Sequence, residues 1–275
     1  MSNPAIGIAG CGRMGLPMAR KLYDAGFEIW GFDVRPGGEF GDFQSRMISD
    51  PKDFAARVDT VISVVRDLGQ TMDLCFDSQA IFSEEHHPNT FICSSTLSPR
   101  ALPEIATRLP KDVTMIDAPM SGAPGRAQDG TLTFMIGGDL KDIEATMPLF
   151  KVMGSKIHHL GPMGNGMTCK VINNFVAVSS VVTVRKAIAT AKLHGMDPKD
   201  LLHVMRTSSG STWYGDNIDL ISWSTEPYDP GNTIGILEKD MLSFIDACGA
   251  DQAADTRALA TSIINILRNL DALEL

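Results

Sequence analysis

Apolar positions follow two rhythms along this chain of 275 residues. In the first half, short β-rich runs alternate with helical ones. Ala5–Ala9 reads as a buried strand and Leu16–Ala25 as a helix. Phe27–Phe32, Val61–Val65, Phe91–Ser94, Met115–Asp117 and Leu132–Ile136 read as further strands, with helical segments between most of them. Strands alternating with crossover helices predict a mostly parallel sheet covered on both faces. The rhythm changes after Gly161-Pro162. From Gly166 to Leu193 no proline or internal glycine intervenes before His194-Gly195, which predicts one long helix, roughly 42 Å at ~1.5 Å per residue. Pro198–Thr207, Asn217–Trp223, Ile236–Cys248 and Asp251–Leu270 read as helices too, without strand-like alternation.

Composition narrows the function classes. The chain is 44% hydrophobic, and its length suits one large core or two ordinary ones. Asp and Glu number 33 against 24 Lys and Arg, a formal charge of −9. So acidic a body repels phosphate backbones, and no dense Lys/Arg run offsets this, so no nucleic-acid partner is expected. The five cysteines, Cys11, Cys75, Cys93, Cys169 and Cys248, are odd in number and have no close pairs. That argues against a disulfide framework or zinc site and suits a reducing compartment. Met1-Ser2-Asn3-Pro4 lacks the basic start and long apolar run of a secretory signal. The longest apolar candidate, Phe175–Val184, is broken by Ser179, Ser180 and Thr183, short of the ~20 residues a spanning helix needs. The expected location is cytoplasmic, with no membrane partner. The pairs His86-His87 and His158-His159 put neighbours on different faces and have no companion ligands, so no metal is expected.

Gly10-Cys11-Gly12-Arg13-Met14-Gly15 follows the first strand and opens the first helix, a G-x-G-x-x-G fingerprint in its required context. Gly10 permits a tight turn, Gly12 close approach to a pyrophosphate, and Gly15 close packing of helix on sheet. A tight βα turn needs glycine in any case, so the loop alone is a weak signal. Asp33, closing the second strand 23 residues after Gly10, stands where a carboxylate would bond both adenosine ribose hydroxyls. Asp33 should repel a 2′-phosphate, which favours NAD. Arg35 could pair with that phosphate and keeps NADP possible; it could equally be a solvated loop residue. The expected fold class is therefore α/β. A Rossmann-type, doubly wound, mostly parallel sheet should occupy residues 1–162, followed by an all-helical domain at 163–275. The long interdomain helix 166–193 joins them, and a cleft between two domains is the default expectation.

Four more segments carry candidate chemistry. They are Ser94-Ser95-Thr96-Leu97-Ser98-Pro99, Asp117-Ala118-Pro119-Met120-Ser121-Gly122-Ala123, Gly164-Asn165-Gly166-Met167-Thr168-Cys169-Lys170 with Asn173-Asn174, and Glu238-Lys239-Asp240-Met241. The first two follow strands, and ligands of open α/β sheets collect at the carboxyl ends of strands. With the glycine loop and the run through Gly130-Thr131-Leu132 these motifs span nearly the whole chain, which resembles the β-hydroxyacid dehydrogenase family. Its members include enzymes of 3-hydroxyisobutyrate, tartronate semialdehyde and succinic semialdehyde.

The resemblance implies that Ser121, Gly122 and Ala123 hold a substrate carboxylate, that Lys170 is catalytic and that Asn174 binds substrate. It also implies that Lys239 reaches cofactor or substrate, that Thr96 lies beside the nicotinamide, and that Val65 and Arg66 edge the cofactor. The family assembles into dimers or tetramers through the helical region, and apolar surface in excess of what so small a domain can bury points the same way.

Residue chemistry supports the assignment separately. Lys170 and Asn174, at i and i+4, share a helix face. Removing a hydride from an alcohol carbon requires the hydroxyl proton to leave too. An ammonium with the ordinary pKa of ~10.4 cannot accept it at neutral pH, so the oxidative direction needs desolvation or a nearby positive charge. In reduction the same ammonium donates the proton. Against this stands an ordinary solvated lysine, which the apolar neighbours Met167, Cys169, Val171 and Ile172 disfavour. Ser121-Gly122-Ala123 offers consecutive amides and a hydroxyl, although a turn needing small residues reads the same way.

Four features depart from the family pattern or stand apart from it. Ala123 replaces a second glycine. Arg126 stands where a small residue is commoner, either as a solvated residue or as a clamp for a second acidic group. Asn232-Thr233-Ile234 replaces a stretch where many relatives carry phenylalanine, which leaves the named substrate open. Trp213-Tyr214 reads either as cleft lining or as a helix-packing cap. The rival functions are an imine reductase-like enzyme, which Lys170 argues against, and a non-catalytic cofactor-binding module.

Overall fold

The computed structural model describes residues 4–83, 86–249 and 253–275. The expectations at Met1-Ser2-Asn3 and at the helix start Asp251 lie outside those residues. The chain separates into two compact units, one through Lys170 and one from Val171.

The first unit opens with β1 (Ile6–Ala9), α1 (Gly15–Asp24), β2 (Ile29–Phe32), α2 (Pro51–Arg57), β3 (Thr60–Ser63) and α3 (Leu68–Cys75). It continues with β4 (Thr90–Cys93), α4 (Leu102–Arg108), β5 (Thr114–Asp117), β6 (Met120–Ser121), α5 (Pro124–Asp129), β7 (Leu132–Ile136), α6 (Leu140–Met153) and β8 (Gly154–His159). Strands β1 to β5 form one parallel sheet in the order β2-β1-β3-β4-β5, so chain direction across the sheet reverses between β1 and β3. Side-chain alternation supplies two cores. Ile6, Ile8, Ile62, Ile92 and Ile116 pack on one face, while Ala9, Val61, Phe91 and Cys93 pack on the other.

The run Leu132–Ile136, expected as one more strand of the sheet, is β7 of a separate three-stranded sheet, β6-β7-β8. In it β6 pairs antiparallel and β8 parallel. Asp117 and Gly137 tie the two sheets together by reciprocal backbone hydrogen bonds of 3.1 and 2.8 Å.

The helix α7 (Asn165–Leu193) starts one residue before its predicted position. Gly195, at φ 71°, follows its end, and the Met196 amide bonds back to Ala191 O. By length and composition α7 could cross a membrane. Val171, Val178, Val182 and Ile188 on it are instead fully or almost fully buried, as in a core helix.

The second unit adds α8 (Pro198–Arg206), α9 (Trp213–Asp216), α10 (Thr233–Ala247) and α11 (Ala254–Leu267). Its apolar clusters gather Val171, Val178, Met241, Phe244 and Ile263 in one group, and Val184, Ile188, Leu202 and Tyr214 in the other. The helix expected over Asn217–Trp223 is absent. A single turn at α9 replaces it, capped by the Thr212 hydroxyl on Gly215 N, after which Asn217 folds back to bond Trp213 O. These side-chain bonds to the backbone satisfy groups that a longer helix would have used. Arg185, only 3% exposed, donates to Glu226 O at 2.7 Å and also to Asp271 O, anchoring the last residues on α7.

Candidate functional site

At the reversal point between β1 and β3, Gly10 adopts φ 92°, and its amide bonds Phe32 O at 2.9 Å. A Cβ there would meet the Val64 carbonyl and stand 3.1 Å from Val65, so Val65 lies beside the loop. Gly15 is packed so closely that a Cβ would lie 2.0 Å from Gly10 O, whereas Gly12 has nothing within 4 Å of that position. The turn is thus tight at both ends and open in the middle. Helix α1 begins there with no side-chain cap and no acidic residue in its first turn. The uncapped, positive end of the helix and the open middle of the turn make this cradle fit a pyrophosphate. Arg66 is exposed, and its amide bonds Gln70 Oε1. Thr96 is half-buried after β4, next to Ser94 and Ser95, whose buried hydroxyls have no hydrogen-bond partner among the described residues.

Asp33 does not stand free. Arg35 donates from Nε to Oδ1 and from Nη2 to Oδ2, both at 3.0 Å, and its amide also bonds Oδ1 at 3.0 Å. Burial alone would raise the Asp33 carboxyl, but these bonds and the guanidinium charge hold it below the usual carboxylate range. Nη2 also donates to Cys11 O at 2.8 Å, and Nη1 to Glu39 at 3.1 Å. Burial, with Asp33 nearby, pushes the Cys11 thiol up to about 12, so this loop cysteine stays protonated and inert. A pocket of about 550 Å³ opens beside the loop, lined among others by Gly12, Arg13, Arg20, Lys21 and Arg35.

Ser121 pairs with Thr133 across β6 and β7. Gly122 turns the chain at φ 141°, where a Cβ would lie 2.9 Å from Leu132 Cδ2, and Ala123 is exposed at the start of α5. Consecutive residues with small side chains leave this backbone accessible.

A residue absent from the sequence-derived candidates organises the start of α7. Asp117, fully buried, accepts from Gly164 N on Oδ1 and from Met167 N on Oδ2, both at 2.7 Å. One carboxylate from the end of β5 therefore serves two amides at the head of α7. Gly137 and Gly166 leave it room, since a Cβ on either would come within 2.3 or 2.8 Å of its oxygens. Burial raises the Asp117 carboxyl above its ordinary value against the pull of these amides. Its motif was visible in the sequence, but its partners lie 47 and 50 residues away.

Lys170 follows one turn inside α7 and is buried, 8% exposed. Of the neighbours expected to bury that stretch, Met167 and Val171 are buried while Ile172 is half exposed. In the second unit Asn174 is also buried and donates from Nδ2 to Asp240 Oδ2 at 2.7 Å. Asp240 Oδ1 lies 3.0 Å from Lys239 Nζ. Asp240 thus holds two expected site residues, Asn174 and Lys239, while not being among those expected itself. Asn174 Oδ1 in turn accepts from Asn173 Nδ2 at 3.3 Å.

Asn232 caps α10 by accepting from Gly235 N, and Ile234 is in the core, so this departure from the family pattern has structural work. Tyr214 is fully buried with its hydroxyl on Ser224 O at 2.7 Å, while Trp213 is exposed. Arg126 is exposed on α5. Among the described residues, no group of three or more His, Cys, Asp or Glu side chains is placed to hold a metal ion.

Residues 5–161 match the family model described as the NAD binding domain of 6-phosphogluconate dehydrogenase. Residues 164–270 match the one described as NAD-binding of NADP-dependent 3-hydroxyisobutyrate dehydrogenase. The chain is 30% identical over 249 residues to the mitochondrial 3-hydroxyisobutyrate dehydrogenase of Homo sapiens, covering 87% of this chain and 74% of that one. It is 33% identical over 211 residues to the NAD-dependent L-serine dehydrogenase of Pseudomonas aeruginosa, covering 76% and 71%. The solved structure of 3-hydroxyisobutyrate dehydrogenase from Salmonella typhimurium aligns over 98% of this chain and 97% of that one, with TM-score 0.79 and 23% identity. At that identity the last likeness is one of fold.

Proposed function

This chain belongs to the β-hydroxyacid dehydrogenase family of NAD(P)-dependent oxidoreductases, and from that premise we propose that it interconverts a short β-hydroxyacid and its semialdehyde, with Lys170 as general acid and base. The observation that carries the reading is the buried pair Lys170 and Asn174 on one face of α7, whose first turn Asp117 holds in place.

The Gly10–Gly15 loop and the first turn of α1 would hold the pyrophosphate, with Asp33 or Arg35 at the adenosine ribose. Val65, Arg66 and Thr96 would edge the rest of the cofactor. When bound, the nicotinamide supplies the carbon that donates or accepts hydride. Lys170 Nζ donates a proton to the carbonyl oxygen in reduction and receives the hydroxyl proton in oxidation. Asn174 orients the same oxygen or the adjacent carbon chain through its side-chain amide. The Ser121 hydroxyl and the amides of Gly122 and Ala123 receive the carboxylate, and Lys239, tethered by Asp240, adds positive charge.

L-serine is itself a β-hydroxyacid, so the serine dehydrogenase relative supports this substrate class. The free cysteines suit a reducing, cytoplasmic setting. The exposed Val176, Leu220 and Leu259 suit a homodimer or homotetramer through the helical unit. The division at residues 162 and 163 stays our functional boundary.

The test is a screen of short β-hydroxyacids and semialdehydes in both directions with NAD and NADP, alongside Lys170→Ala. The variant should lose at least ~100-fold in kcat, the scale of general acid–base catalysis, and keep NADH binding near wild type. Near-wild-type turnover by K170A would remove Lys170 from the chemistry.

A further inference from the structure

The expectation that NAD is favoured, with NADP possible, set Asp33 and Arg35 against each other as separate determinants, whereas in the structure Arg35 bonds both Asp33 carboxylate oxygens. Arg35 grips them through Nε and Nη2 at 3.0 Å and braces itself on Cys11 O at 2.8 Å and Glu39 at 3.1 Å. Only 9% of the Asp33 side chain is exposed, against 43% for Arg35, which therefore lies over the carboxylate as a cover. A ribose diol binds a carboxylate by donating to both oxygens, the acceptors that the Arg35 fork already uses.

We propose that Arg35 is an exchangeable cap on Asp33 and that this exchange lets one subsite take either dinucleotide. With NAD, the guanidinium swings off and the diol takes its place on the carboxylate. With NADP, Arg35 turns to the 2′-phosphate, for which a planar two-pronged donor is well matched. The pocket on that side supports the second arrangement, because its lining has four basic residues, Arg13, Arg20, Lys21 and Arg35, against two acidic ones, Asp24 and Glu39. Arg20 is paired with Asp42 as Arg35 is with Asp33 and Glu39, and Arg13 and Lys21 complete the basic lining. Phe40, whose ring centroid lies 5.2 Å from the guanidinium carbon, packs against Arg35 in its capping position. The carboxylate and guanidinium thus largely neutralise each other before the ligand arrives, which weakens the discrimination either would impose alone.

The inference rests on the glycine loop binding a dinucleotide, and direct binding separates the two claims. NADH and NADPH are titrated by fluorescence into the full chain, with 2′,5′-ADP and 5′-AMP as competing fragments. Wild type should bind the two dinucleotides within about tenfold of each other. Arg35→Ala should weaken NADPH and 2′,5′-ADP by about ten- to a hundredfold, the worth of a charge-assisted bond or two, while NADH binds as well as before or better. Arg35→Lys, which keeps the charge and loses the fork, should fall between. A weaker NADH complex in R35A, unchanged NADPH binding in R35A, or wild-type discrimination above about a hundredfold would each overturn the exchange. Failure of wild type to bind either dinucleotide would overturn the cofactor reading itself.

Discussion

Replacing Asp117 by alanine should loosen the head of α7. The carboxylate makes two 2.7 Å bonds to the amides of Gly164, just before α7, and Met167, in its first turn, and both are charge-assisted. At ~1.5–3 kcal/mol each, their loss amounts to ~3–6 kcal/mol. Part of this is recovered because the variant no longer buries a charge, and the raised Asp117 carboxyl shows that this burial is costly. The expected net loss is ~2–4 kcal/mol of unit stability. Asp117→Asn keeps the shape, but turns an NH₂ toward one of the two amides, and should lose ~1–3 kcal/mol.

Urea unfolding followed by circular dichroism measures the loss, and hydrogen exchange at Gly164 and Met167 locates it. Because the folded carboxyl titrates above its unfolded value of ~3.9, its contribution is full below that value and declines as pH rises through the folded one. Asp117→Asn should flatten that decline. A loss below about 1 kcal/mol in D117A, with both amides still protected, would refute the claim that this carboxylate secures the helix.

Two further outcomes follow from the same geometry. Asp240→Asn breaks the ion pair with Lys239 and disturbs the bond from Asn174, so KM for the hydroxyacid should rise about tenfold while NADH binding changes little; unchanged steady-state constants would deny Asp240 a positioning role. Gly122→Ala places a Cβ at φ 141° and 2.9 Å from Leu132, and should cost ~1–3 kcal/mol in urea unfolding along with weaker carboxylate binding; a variant as stable as wild type would show that the turn relaxes easily.

Local chemistry made part of this molecule readable in the sequence. The glycine loop could be found because a tight turn against β3 leaves no room for side chains, and α7 because an unbroken run without proline has few other outcomes. The parallel strands appeared as apolar runs because both their faces are buried. The second sheet left a weaker trace. Its strand β8, Gly-Ser-Lys-Ile-His-His, is largely exposed and has no apolar alternation, and β6 is only two residues long. The short helix α9 depends on hydroxyl and amide caps that can equally serve a turn. In the site, residue types were legible and pairings were not. Asp33 and Arg35 were seen as competing determinants of one cofactor, while their mutual grip depends on side-chain conformation. Asp117 and Asp240 act through partners distant in sequence, so neither stood out as a holder of its neighbours.

The buried Arg185 has a consequence for how this fold can vary. Its guanidinium is satisfied by the carbonyls of Glu226 and Asp271, groups that every amino acid carries. The hydrogen bonds themselves therefore fix the path of the chain past Arg185 rather than the side chains at those two positions, although the Asp271 charge also favours the guanidinium. Correlated substitution between related sequences would leave this clasp undetected, because its acceptors have no residue identity to co-vary. What the clasp constrains is the three-dimensional path of the tail.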